Sequence, residues 1–202
     1  MRNALIAVVV GVVLAAQLAG QAGPGRSSSL ERPFAPGGVI HMDLSAGEYR
    51  ISGSKDDRIH ISWRVRNPED LPHVRVRADV KGSEARLDTD GVRNGFEAEI
   101  QVPTRSGLHV RLTAGDLTVD GIEGNKDIEL HAGDLTIDVG RAEDYRRADA
   151  SLWAGDIEAA PFHVSKGGLF RSFDWTGHGA YTLHAHLKAG DLRLVAKDTS
   201  GR

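Results

Sequence analysis

The sequence predicts an all-β protein in which an antiparallel strand layer runs into a β-helix-like, or solenoid-like, stack of repeats. Three observations predict it. Apolar and polar residues alternate with period two from Val39 to Pro103, the mark of half-buried strands. A strand–corner–strand phrase recurs beyond Pro103. No stretch after the first 22 residues carries a helical period. The repeat offsets are uneven, so a β-sandwich or meander whose hairpins share one turn motif is the alternative.

The elements follow in chain order. Arg2 and the terminal amine precede the apolar run Ala4 to Ala16, too short for a bilayer of ~30 Å but suited to a signal peptide. Residues 1–22 are therefore expected to be a leader cleaved after Ala22, the alternative being an uncleaved anchor. Residues 23–33 (GPGRSSSLERP) are rich in Gly, Ser and Pro and read as a flexible linker. Residues 34–198 are expected to form one domain, with the strand layer over 34–105, the repeats over 106–198 and a tail over 199–202. In the layer, Ile40, Met42 and Leu44 alternate with His41 and Asp43, and Ile59, Ile61, Trp63 and Val65 with His60, Ser62 and Arg64. Turn chemistry at Asn67-Pro68, Asp90-Gly91 and Asn94-Gly95 breaks the strands.

The repeated phrase is LTAGDLTV (Leu112 to Val119), LHAGDLTI (Leu130 to Ile137), LWAGDIEA (Leu152 to Ala159) and LKAGDLRL (Leu187 to Leu194). A looser copy, LSAGEYRI, spans Leu44 to Ile51. Gly supplies the special backbone angles of a corner and Ala keeps its inside small. One such unit cannot bury its apolar face alone. Stacking buries it, with Leu112 on Leu130, Leu117 on Leu135 and Val119 on Ile137.

A strand ending in Val-Pro (Glu99 to Pro103), followed by recurring Ala-Gly-Asp-apolar corners, resembles the bacterial putative-adhesin family of exported β-repeat domains. The resemblance covers Phe34 to Ala196. It implies a right-handed, single-stranded β-helix-like fold in the cell envelope, and it supplies no catalytic or binding residues. The aromatic-rich insertion before the last repeat departs from the pattern.

Composition narrows the function. The chain has 202 residues, net charge −3 and no cysteine. Disulfides and Cys-ligated metals are excluded, and the charge argues against nucleic acid. The corner acids Asp116, Asp134, Asp156 and Asp191, with Glu48 as an outlier, are expected to accept hydrogen bonds from corner N–H groups. A calcium ladder is the alternative, although the Gly-Gly-x-Gly-x-Asp pattern of calcium-binding repeats is absent. Asp88 to Gly91 reads as a hairpin turn. His184 and His186 project from one strand face and suggest at most a weak transition-metal pair, with His178 or His163 as a third ligand. Arg64, Arg66, Arg75 and Arg77 would share a face if their strands paired, as an anion patch or as partners of Glu97 and Glu99. Trp153 occupies an outward position, and Phe162, Phe170, Phe173 and Trp175 crowd the insertion Pro161 to Gly179. These aromatics are the binding candidates, as a platform for sugar or protein or as a cap over the end of the stack.

Catalytic motifs are missing, and Ser52 to Lys55 lacks the helix that a Ser-x-x-Lys nucleophile needs. The sequence therefore points to an exported, non-enzymatic envelope or cell-surface protein, an adhesin-like binding or scaffolding module without cofactor or metal. Its partner would be an envelope protein or a surface glycan, with no nucleic acid and no membrane span after leader cleavage. A glycan-binding or glycan-degrading β-helix protein is the alternative.

Overall fold

A computed structural model describes residues 27–91 and 94–196. The expected leader (1–22) and tail (199–202) lie outside the described residues. Fifteen strands are described: β1 (Ser27–Pro33), β2 (Val39–Leu44), β3 (Glu48–Ser54), β4 (Arg58–Val65), β5 (Arg75–Lys81), β6 (Glu84–Asp90), β7 (Phe96–Pro103), β8 (Gly107–Leu112), β9 (Leu117–Asp120), β10 (Lys126–Ala132), β11 (Leu135–Asp138), β12 (Tyr145–Ala159), β13 (Val164–Thr176), β14 (Tyr181–Ala189) and β15 (Leu192–Val195). Short 3-10 turns at Pro68–His73, Ala142–Asp144 and Ala160–Phe162 complete the order. The protein is all-β.

Fourteen strands lie on one hydrogen-bonded path. It runs from β1 through β4, β7, β3, β9, β11 and β15 to β12, then returns through β14, β10, β8, β2 and β6 to β5. The two ends meet, and Arg32 Nε donates to the Ala78 carbonyl across the gap at 3.1 Å. The path is therefore nearly closed, like a barrel, with the core inside. Strand layer and repeats are one sheet.

Pairing directions correct the expected antiparallel layer. β2 runs parallel to β6 and β8, and β3 parallel to β7 and β9. Antiparallel pairs are β1/β4, β4/β7, β5/β6 and β12/β13. Period-two alternation follows from one buried face and is the same for either direction, so it cannot tell them apart. The linker reading of 23–33 is corrected too. From Ser27 the chain is β1, in register with β4 from Ser27↔Arg64 to Pro33↔Arg58. Only Leu30 of β1 packs on the core; backbone pairing holds the strand, and composition does not report that.

The repeats stack in register. Leu112 lies beside Leu130, Leu117 beside Leu135 and Val119 beside Ile137. The loose copy joins them, with Leu44 on Leu112, Tyr49 on Leu117 and Ile51 on Val119. Space and sequence disagree on the last two copies. β14 lies between β10 and β12, so Leu187 separates Leu130 from Leu152, and β15 likewise separates β11 from the end of β12. The reason is β13, which covers the other edge of β12 along most of its length and leaves β12 only the end position. Each column is buried, and a fully buried Leu contributes roughly 2 kcal/mol.

The corner glycines show why each phrase needs Gly. Gly115, Gly133, Gly155 and Gly190 have φ of +112°, +125°, +135° and +127°, a region closed to L side chains. They also stack. A Cβ on Gly115 would strike the carbonyl of Gly47, one on Gly133 that of Gly115, one on Gly190 that of Gly133, and one on Gly155 that of Gly190.

Candidate binding surface

The corner acids form a ladder between rungs. Asp116 Oδ1 accepts from the Asp134 N–H at 3.3 Å, Asp134 Oδ1 from the Asp191 N–H at 3.0 Å, and Asp191 Oδ1 from the Asp156 N–H at 3.1 Å. Each carboxylate thus caps a donor of the next rung and not of its own turn. Neighbouring negative charges are tolerated because Asp116, Asp134 and Asp191 each place one oxygen on a backbone N–H dipole. Among the described residues no three His, Asp or Glu side chains converge as a metal site.

The outer face of β6, β2, β8, β10, β14 and β12 is a wall of mixed charge. One row reads Arg86, His41, His109, Asp127, His184 and Asp149 across the strands. His41 and His109 stack at 4.8 Å, His109 Nδ1 lies 3.2 Å from Asp127, and His184 bonds to Asp149. His186, in the next row, holds Ser151 Oγ at 2.7 Å. Both histidines of the expected pair are exposed, and each is engaged by β12.

The arginines do not assemble as an anion patch; the alternative reading, a partner in Glu97, holds for Arg64. β4 pairs with β1 and β7, whereas β5 pairs with β6. Arg64 forks onto Glu97, while Arg75 and Arg77 stand opposite Asp90 and Asp88. The Pro68–His73 turn separates the two strands instead of joining them as a hairpin. A cavity of about 550 Å³ does open beside Arg64, over Arg50, Ser62, Glu97 and Glu99. Arg50 pairs with Asp120 at 2.6 Å, so much of its lining charge is already neutralised.

The aromatic candidates fall into two groups. Phe173 is buried and Trp175 half-buried; with Phe162 and Tyr145 they close one end of the core. Ring centroids lie 5.1 Å apart for Phe162–Trp175, 5.9 Å for Phe162–Phe173 and 6.2 Å for Tyr145–Phe162. Trp153 and Phe170 lie outside this group. They occupy opposite positions on β12 and β13, with rings 6.2 Å apart and tilted 41°. Trp153 is 58% exposed, Leu169 62% and Phe170 76%, and these are the exposed large hydrophobics of the described residues. Phe170 also has φ +54°, a left-handed angle that costs a bulky residue about 1–2 kcal/mol. Most of the insertion is here a strand, β13, because β12 offers a free edge.

Sequence reading missed Lys126. It is 1% exposed, inside the cap. Its Nζ donates to the carbonyls of Ile122 (2.8 Å) and Gly124 (3.2 Å) and to the Tyr145 hydroxyl (2.8 Å). Burial lowers its pKa to about 8, against the pull of Asp138 and Glu123, and burial raises that of Tyr145. The signal was in the sequence: Lys126 holds the inward position that Leu108 and Leu183 hold on neighbouring strands.

No family model matches the chain, and no curated protein does. Among solved structures, a putative cell adhesion protein from Clostridium sporogenes aligns with a TM-score of 0.55 at 13% identity, over 85% of this chain and 100% of that one. The two share a fold. A putative adhesin from Parabacteroides distasonis (14% identity, 86% of this chain, 71% of that one) scores 0.27. Another from Bacteroides fragilis (10%, 84% and 97%) scores 0.26. Neither of these two carries an argument about this chain. No helix of the described residues is long and apolar enough to cross a membrane.

Proposed function

We propose that the protein is an exported, non-enzymatic binding or scaffolding module of the cell envelope, adhesin-like in use, and that it engages its partner through the β12–β13 edge. One observation carries this reading. The exposed large hydrophobics of the described residues, Trp153, Leu169 and Phe170, fall together on that edge, whereas isolated exposed apolar residues would need no explanation. The left-handed angle at Phe170 adds a local cost at the same place, and strain of this kind clusters where ligands are held. The in-register columns fit a short right-handed β-helix, a shape that presents long side walls for contact. The leader-like N-terminus and the resemblance to exported repeat domains fit an envelope address.

The test replaces Trp153 and Phe170 by Ala in the whole chain. Retention on cell-envelope material should fall at least tenfold while far-UV circular dichroism stays the same. Unchanged retention would remove the edge as the contact site. Retention of the parent chain on cell-wall polysaccharide resin would identify a glycan as the partner.

A further inference from the structure

The chemistry around Trp153, Leu169 and Phe170 is not that of a neutral sugar site. Three cations lie on the same end rungs as the triad: Lys188 on the outer face beside Trp153, and Arg171 and Lys166 on the other face of β13, opposite Leu152 and Ile157. Lys188 stands beside Trp153 across the β12/β14 ladder, where Leu187 and Ala189 face Leu152 and Ala154. Arg171 follows Phe170, and Lys166 precedes the two glycines that lead to Leu169. Arg171 Nε donates to the Gly167 carbonyl at 2.6 Å and Lys166 Nζ to the Ser172 carbonyl at 2.7 Å. Among the described residues, neither of them nor Lys188 is in an ion pair with a carboxylate. Two carboxylates share this edge with the three cations, Asp156 opposite Gly167 and Glu158 opposite Ser165. The two rings are tilted 41° and offer no single flat platform, and Leu169 adds an aliphatic tip that sugar stacking does not use.

Resting on the reading of this edge as a binding surface, we infer that its partner is an anionic lipid surface. The aromatic and leucine tips enter the headgroup–acyl boundary while Lys166, Arg171 and Lys188 meet lipid phosphate. Large rings and leucine beside lysine and arginine are the side chains that hold at such an interface. A second copy of the chain fits less well. Antiparallel pairing of β13 with itself about Gly168 and Leu169 would bring Lys166 of one copy opposite Arg171 of the other, and the left-handed angle at Phe170 interrupts the strand edge, a feature that opposes edge-to-edge pairing.

The chain has no cysteine, so one introduced cysteine takes one label. A fluorophore at Ser172→Cys reports the edge, and one at Ser62→Cys reports the outer face of β4. Both full-length proteins are mixed with vesicles carrying nitroxide-labelled acyl chains, made either of phosphatidylcholine alone or with a third phosphatidylglycerol. On the anionic vesicles the Ser172 label should be quenched at least fivefold more than the Ser62 label. Lys166→Glu with Arg171→Glu should raise the lipid needed for half-quenching by at least about thirtyfold. Comparing two label positions in otherwise identical chains keeps attachment through the apolar N-terminus from counting as support. Equal quenching at both positions, equal quenching on both lipids, or no effect of the charge reversal would overturn the lipid assignment. If those results came with retention on polysaccharide resin, or with sedimentation as a dimer, lost in the Trp153→Ala, Phe170→Ala chain, the binding edge would stand with a different partner. If that variant changed no binding of any kind, the edge reading itself would fall.

Discussion

An ammonium group inside an apolar stack carries a cost that depends on pH. Lys126 has a folded pKa of about 8 against 10.5 for the free side chain, so between these values the unfolded chain holds a proton that the folded chain has released. Stability therefore rises with pH through that window, by up to ~3 kcal/mol. Burial raises the phenol pKa of both Tyr49 and Tyr145, so above pH ~10 the unfolded chain loses protons first and stability falls again. Urea midpoints should peak near pH ~10. In Lys126→Met the rise should vanish while the fall at higher pH persists; a rise that survives would place its source elsewhere. A second prediction concerns the acid ladder. Asp134→Ala leaves the Asp191 N–H without its acceptor and should cost about 1–2 kcal/mol, whereas Asp134→Asn keeps an oxygen there and should cost less. Chelator should leave the parent melting temperature unmoved, because peptide dipoles already offset the carboxylates of Asp116, Asp134 and Asp191. A drop of several degrees would revive a calcium ladder.

At the scale of the element, the glycine corners separate two causes of glycine dependence. Gly133 combines φ +125° with a neighbouring carbonyl where a Cβ would sit. Gly140 has φ +62° and open space around it. Gly133→Ala should therefore cost several kcal/mol and Gly140→Ala only about 1 kcal/mol, read from chemical denaturation of the two variants. Similar costs would mean that the rungs are not stacked at van der Waals distance. Most strands and the residue-by-residue register of the first two repeats were legible in the sequence, because alternation and the Leu-x-Ala-Gly-Asp phrase both report which face is buried. Strand direction was not legible, since both directions have the same period. The conformation of 161–179 was hidden for another reason. Gly167, Gly168 and a run of aromatics without strict alternation look like a loop until a free edge of β12 is available to pair with.

For the molecule as a whole, the candidate surface was only half legible. Trp153 could be placed outside from its position in the phrase, and Phe170 could not be separated from Phe173 and Trp175 without knowing the register of β13. Lys126 was lost among surface charges because a lone lysine in an alternating strand is ordinarily solvated. The order of the columns was hidden most deeply. β14 and β15, last in sequence, occupy the interior of the stack. A chain ending at Thr176 should therefore show no cooperative unfolding transition, since β12 and β13 would have no rung to join; a sharp transition in that fragment would contradict the order. The same arrangement has a consequence for the order of folding. Whichever machine delivers this polypeptide amino end first must release almost all of it before the middle rung exists, so the barrel-like sheet closes as a late event and the chain stays threadable until then.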